Sequence, residues 1–324
     1  MSKKIKIGVL GCADIAERMV LPALKELDDF ELVGVASRSM TKAKRLAEKF
    51  GTIPYTGYET ITEAYPDAIY IPLPNSLHYY WIKYFLNAGV HVLVEKSMTC
   101  NLQETTELNE LARAKELVLL ENFQFRFHSQ LGFIQKLLAD GLIGELRNIR
   151  SAFGFPPFAS KDNIRYSKEL GGGALLDAGA YPLKISQIFM NSDVFVDGSE
   201  LNVSVEFGVD TWGSAFLKSH TNNVTSQIAF GFEHYYQNTL ELWGSKGKIT
   251  ANRIFTAGPS VAPKVLVETS SDKNTHVIEP ENHFSKMLLH FQLLINGTIG
   301  KEMEFLGNIQ QAKLIDQVYR QAYA

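Results

Sequence analysis

Along the first 121 residues, short apolar runs alternate with stretches whose apolar residues recur at helical spacing, the pattern of strands and helices in turn on a parallel sheet. Ile5–Leu10 and Phe30–Ser37 read as the first two strands, joined by a helix over 14–27 that is interrupted near Pro22. Ser39 is placed to cap a second helix, which carries Ala43, Leu46, Ala47 and Phe50 and is stopped by Gly51. A strand over 68–73, broken at its carboxyl end by Pro72 and Pro74, precedes a helix with Tyr80, Tyr84 and Phe85. After Gly89, a strand over 90–95, a helix over about 103–115 and a strand over 117–121 complete the series. Such a doubly wound α/β sheet binds its ligand beyond the carboxyl ends of its strands.

After Asn122 the pattern changes. A helix over Ser129–Ala139 leads through Gly141 and Gly144 to a strand near Leu146. The run Gly171-Gly172-Gly173 precedes a helix towards Phe189. Residues 203–254 alternate as antiparallel strands do, with Ile228, Phe230 and Phe232 on one face and turns at Asn222-Asn223 and 244–247. Helices over 284–295 and 308–319 close the chain. The predicted organisation is a Rossmann domain over 1–122 and a substrate-binding, oligomerising α+β domain over 123–324, its sheet mainly antiparallel.

Composition narrows the function. Among 324 residues, 45% are hydrophobic and 21% charged, the balance of a folded globular chain. The formal charge of -3, without a basic run, argues against a nucleic-acid partner. No apolar stretch reaches a membrane span, and the N-terminal run is too short for a secretory signal, so neither a membrane nor an export route is expected. Cys12 and Cys100 suggest no disulfide framework, which fits a cytoplasmic protein. Eight scattered histidines, His283 and His290 included, lack the company of a metal site, and none is expected.

Candidate chemistry begins where the first strand ends. Gly11-Cys12-Ala13-Asp14-Ile15-Ala16 is a variant of the dinucleotide fingerprint. Gly11 permits the tight turn, Ala13 lets backbone amides approach a pyrophosphate, and the helix start through Asp14 and Ile15 offers N–H groups and a positive dipole end. The second strand ends in Ser37-Arg38, where an NAD site carries an acid for the ribose hydroxyls. A hydroxyl and a guanidinium can instead donate to a 2′-phosphate, so NADP(H) is expected over NAD(H).

Three further strings, 71–78 (IPLPNSLH), 91–96 (HVLVEK) and 171–182 (GGGALLDAGAYP), in this order and spacing, resemble the Gfo/Idh/MocA oxidoreductases. The resemblance spans the first domain, continues to about Met190 and fades after Ile254. It implies a sugar-like substrate and a set of cofactor contacts that adds Leu73, Asn75, His78, Glu95, Lys96, Asn122 and Arg165 to the turn residues. It also implies that Lys96 orients the substrate and polarises its oxygen. Asp177 and Tyr181, four apart on a helix, share a face. Tyr181 is assigned as acid/base, Lys96 as its electrostatic partner, and Asp177 as a partner of a substrate hydroxyl or of Lys96. Ser97 departs from the family, which has proline after the Glu-Lys pair.

The strings 121–128 (ENFQFRFH), 164–166 (IRY), 208–211 (GVDT) and 241–245 (ELWGS) are similar to those of nucleotide-sugar C-3 ketoreductases. The leading expectation is therefore reduction of a keto group on a nucleotide-linked sugar by a homodimer or homotetramer. A free-sugar or trans-dihydrodiol dehydrogenase and a non-catalytic NADP(H)-binding regulator are the alternatives. A regulator would have no need of Lys96, Asp177 and Tyr181.

Overall fold

The computed structural model describes residues 3–190 and 194–323. Two compact units result: Met1–Asn122 with Phe284–Ile309, and Phe123–His283 with Gln310–Ala324. The single boundary expected after Asn122 is thus incomplete. Segment 284–309 returns to the first unit because its side chains find partners there. Asn308 Nδ2 donates to Asn109 Oδ1 (3.1 Å) and to the Leu119 carbonyl (3.3 Å), Arg113 pairs with Glu302 (2.8 Å), and Phe305 joins the buried apolar cluster.

The first unit contains β1 (Ile5–Leu10), β2 (Phe30–Ser37), β3 (Pro54–Thr56), β4 (Ala68–Ile71), β5 (His91–Glu95) and β6 (Leu119–Asn122), ordered 3-2-1-4-5-6 and paired in parallel. The reversal between β1 and β4 is the switch point at which such sheets bind ligands. β1 and β4 are buried almost throughout, as strands covered on both faces must be.

The helix after β1 opens as a π-helical stretch, Ala16–Val20, and continues as α-helix over Leu21–Lys25. The Leu21 N–H reaches back to the Ala16 carbonyl, and Pro22, which has no N–H to donate, follows immediately. The interruption expected near Pro22 takes this form.

The second unit contains β7 (Leu146–Gly154), β8 (Val194–Val203), β9 (Asp210–Ser219), β10 (Thr225–Gly231), β11 (Gln237–Gly244), β12 (Gly247–Asn252), β13 (Lys264–Thr269) and β14 (Lys273–Val277). Their order is 14-13-12-11-7-10-9-8, and the pairing is antiparallel except between β7 and β10. Ile228, Phe230 and Phe232 are buried, as expected. The helical segment over 175–190 covers this face, with Ser186 Oγ 2.8 Å from Ser226 Oγ of β10. The last helix runs over Glu302–Ala322, six residues earlier at its start than the sequence pattern suggests, with Gly307 inside it.

Candidate active site

In the first unit, Gly11 adopts φ +89, and a Cβ there would lie 2.8 Å from Leu73 Cδ2. Only glycine fits this turn without strain. Cys12, Ala13, Asp14 and Ile15 follow at the helix start, where Asp14 is exposed and pairs with Arg18 at 3.2 Å. Ser37 is buried at the end of β2, and its Oγ accepts the Ser39 N–H. Arg38 is exposed beside Tyr58, whose hydroxyl it engages. Lys42 and Arg45 are close enough to draw the Cys12 thiol downward in pKa, although burial outweighs them and raises it. Cys12 therefore has two cations close by, of which Arg45 is bound to Glu17 at 2.5 Å. Lys42 is an addition to the expected set.

Lys96 stands directly after β5, half-buried, on a turn whose Lys96–Ser97 peptide bond is cis. Proline is absent, and side chains from three elements hold the turn instead. His78 Nδ1 lies 2.9 Å from the Ser97 carbonyl while its Nε2 lies 2.8 Å from the Leu73 carbonyl. Glu121 Oε1 accepts the Met98 N–H at 2.8 Å. Glu95 Oε1 accepts from the Tyr70 hydroxyl and from Asn122 Nδ2, each at 2.6 Å. Burial pushes the Glu95 carboxyl up in pKa, against these donors and the nearby ammonium of Lys96.

His78, expected among the cofactor contacts, is fully buried behind this turn with both ring nitrogens facing main-chain carbonyls. Both of its contacts are to the main chain, one of them in the lysine turn. Burial pushes its pKa down to about 4, so it is neutral near pH 7. Asn75 opens the helix Asn75–Asn87. Glu121 and Tyr70 are the residues of this cluster that sequence reasoning did not single out. A buried Glu-Asn pair ending an apolar strand was the available signal.

In the second unit, Asp177 and Tyr181 lie on one helical segment, π-helical over Leu175–Gly179 and α-helical over Ala180–Met190. A proline follows each π-helical stretch, Pro22 two residues after Val20 and Pro182 three residues after Gly179. Tyr181 is 6% exposed, its ring set among Phe123, Phe125, Phe153 and Phe255 at centroid distances of 5.0–5.9 Å. Its hydroxyl accepts from Gln124 Nε2 at 3.3 Å. An apolar box with one polar opening at the hydroxyl aims the phenol without solvating it.

Arg165, expected as a cofactor contact, belongs to this unit. Its Nε donates to Asp177 Oδ2 at 2.6 Å, and its guanidinium lies 4.9 Å from the Phe158 ring. The Asp177 carboxylate, followed by its hydrogen bond and by Tyr181, holds the arginine firmly charged. Arg165 is thus bound to Asp177 and near enough to Tyr181 to be affected by its charge. Within this unit Arg165 is a partner of Asp177, a role the sequence reading did not assign. Among the described residues no group of three His, Cys, Asp or Glu could hold a metal ion, and no helix is long and apolar enough to cross a membrane.

Residues 5–123 match the model of an oxidoreductase family with an NAD-binding Rossmann fold, GFO/IDH/MocA, and residues 133–250 match the C-terminal domain of the same family. The chain belongs to the GFO/IDH/MocA oxidoreductases. Within that family it is 38% identical to a dTDP-3,4-didehydro-2,6-dideoxy-alpha-D-glucose 3-reductase from Actinomadura kijaniata, over 97% of this chain and 94% of the relative. A 3-ketoreductase from the same organism, solved with NADP and TDP-benzene, superposes with a TM-score of 0.94 at 37% identity, covering 98% of each chain. A trans-1,2-dihydrobenzene-1,2-diol dehydrogenase from Xenopus laevis is 33% identical over 81% of this chain and 77% of its own.

Proposed function

We propose that this oxidoreductase uses NADPH to reduce the C-3 keto group of a nucleotide-linked deoxysugar. The observation that carries the reading is likeness along nearly the whole chain to a ketoreductase solved with NADP and a TDP compound. The residues present fit a dinucleotide. A Cβ at Gly11 would fill the cradle, Arg38 and Lys42 stand where an acid would exclude a 2′-phosphate, and buried Asn122 Oδ1 is an acceptor without a partner among the described residues. Gly11, Cys12, Ala13, Asp14 and Ile15 would hold the pyrophosphate, Ser37 and Arg38 the 2′-phosphate, and Leu73, Asn75, Glu95 and Asn122 the nicotinamide end.

When bound, the reduced nicotinamide would supply the hydride for the carbonyl carbon. Tyr181 gives its phenolic proton to the oxygen as the C=O bond becomes C–OH, and Lys96 stabilises the negative charge that gathers on that oxygen. Arg165 is held by Asp177 and offers its remaining N–H groups to the anionic part of the substrate. The test is to mix the protein with NADPH and a dTDP-linked 3-keto sugar and follow absorbance at the reduced nicotinamide band. Turnover of free sugars at least as efficient as that of the nucleotide sugar, or no turnover of the nucleotide sugar, would overturn the proposal. The likeness to the dihydrodiol dehydrogenase favours a second reading, oxidation of a small diol with NADP, and the same assay run in reverse decides it.

The protein acts in the cytoplasm as a homo-oligomer in this reading. Both cysteines are free thiols. Away from the helix 175–190, the sheet of the second unit presents Trp212, Phe216, Ala229, Ala152 and Trp243 on one face, partly or fully exposed. Apolar residues gathered on an open sheet suit a second copy of the same sheet. Light scattering at micromolar concentration is expected to give at least a dimer, and a monomer would remove this part of the proposal.

A further inference from the structure

The run Gly171-Gly172-Gly173 serves close packing. A Cβ on Gly172 would lie 2.4 Å from the Arg165 carbonyl oxygen, and one on Gly173, at φ +117, would lie 2.4 Å from Asp210 Oδ1. These glycines bring the start of the helical segment 175–190 against a carboxylate from the first residue of β9. Asp210 is 3% exposed, and its Oδ2 accepts the Leu175 N–H at 2.6 Å; the N–H groups of Ala174 and Asp210 itself also engage it. Ala174, which precedes the helical segment, has no side chain able to cap it. Asp210 therefore does from a distant strand what an N-cap residue does locally. It accepts from the first free N–H groups and sets a negative charge at the positive end of the helix dipole.

We propose that Asp210 is a positioning residue of the reaction, fixing the start and the rotation of the helix that carries Asp177 and Tyr181. The inference rests on the reading of Tyr181 as the proton donor, in that a helix free to shift at its start would move the phenol relative to the substrate oxygen. A misplacement of about 1 Å costs on the order of a hundredfold in rate when reacting groups must be aligned. Burial raises the Asp210 carboxyl to about 6, the result of keeping a charged acceptor in an apolar place for the sake of these N–H groups.

Two substitutions attack the contact from opposite sides. Asp210→Asn keeps the shape and removes the charge, whereas Gly173→Ala leaves Asp210 intact and forces a Cβ onto it. Val267→Ala, at a buried position of β13, serves as a control that loosens the same unit outside the helix. Both test variants are expected to lose about tenfold or more in kcat, with the KM for NADPH within about twofold of wild type. Amide exchange over 173–181 is expected to accelerate by about tenfold or more in both, and to be unchanged in the control.

The proposal is overturned if kcat per folded molecule is preserved in the two variants, if Val267→Ala loses kcat in the same proportion for the same drop in melting temperature, or if neither variant can be isolated folded. Faster exchange with unchanged kcat also overturns it while leaving the proposed reaction standing. If the wild type reduces no keto sugar, the proposed reaction fails, and the exchange measurement still reports whether Asp210 fixes the helix.

Discussion

Arg165 Nε donates to Asp177 Oδ2 at 2.6 Å, so the charged group one helical turn before Tyr181 is already engaged by an arginine. The Arg165 side chain is 38% exposed, and the pair contributes on the order of 1 kcal/mol to stability after solvent screening. Its larger effect is expected in catalysis. In a double-mutant cycle of Arg165→Met and Asp177→Asn, each single change lowers kcat/KM for the nucleotide sugar by about tenfold or more, and the double change costs much less than the sum. Additive losses would mean that the two side chains act separately.

Tyr181→Phe removes one hydroxyl from the Phe123, Phe125, Phe153 and Phe255 box and little volume. Turnover is expected to fall by about two powers of ten with NADPH affinity retained. Stopped-flow reduction at saturating substrate measures it, and near-normal turnover would rule out the phenol as proton donor. Lys96→Met is expected to lower kcat similarly. Less-than-additive losses in the double variant would support their joint action on one oxygen.

Cofactor preference isolates a single charge. Arg38 stands directly after β2, exposed beside Tyr58. Charge-assisted hydrogen bonds contribute about 1.5–3 kcal/mol, so Arg38→Ala is expected to weaken NADPH by about ten- to a hundredfold. NADH, which lacks the phosphate, is expected to change by less than about threefold. Fluorescence titration of both cofactors decides the matter. A wild-type preference for NADH, or equal loss of both in the variant, would remove Arg38 from the phosphate site.

Acid acts on the buried histidines of the first unit in one sense and on the raised carboxyls, Glu95 in the same unit and Asp210 in the second, in the other. His78 and His91 have pKa values pushed down to about 4, by burial in each case and next by the Lys301 charge for His91. Unfolded, both titrate near 6.5, so between about 6.5 and 4 the unfolded chain binds more protons and stability falls as pH falls. Asp210 is raised to about 6 by burial, above its unfolded value near 3.8, so its contribution to stability grows over about 6 to 4 as pH falls. Tyr323 feels the charge of Asp210 and, titrating far above this range, leaves the sign unchanged. Exchange-detected melting from pH 7 to 5 is expected to weaken the first unit first, and to do so much less in His91→Gln. A second unit that fails first would contradict the assignment.

The parallel sheet was legible because its strands are continuous apolar runs between helices of clear period, and because Gly11 and Gly51 mark their turns. β3, β8, β13 and β14 were not. The first is three residues long, and β14 has no buried residue, so period and hydrophobicity carried little signal there. In the site, the turn residues, Lys96 and Tyr181 could be read from motifs. The contact of Asp210 with the Leu175 N–H could not, because thirty-five residues separate the two and no local spacing encodes it. His78 was recognised as part of a string, but its direction, into the core behind Ser97, needed three dimensions.

The π-helical stretches before Pro22 and Pro182 each hold one more residue than an α-helical turn would. Removing one residue from Leu175–Gly179 would leave a plausible helix, yet it would swing Tyr181 by about 100° relative to the residues before the deletion. Single-residue insertions and deletions here therefore act as a coarse dial on where a phenol points. A lineage could change the angle of attack on its substrate by length alone, with every active-site side chain kept.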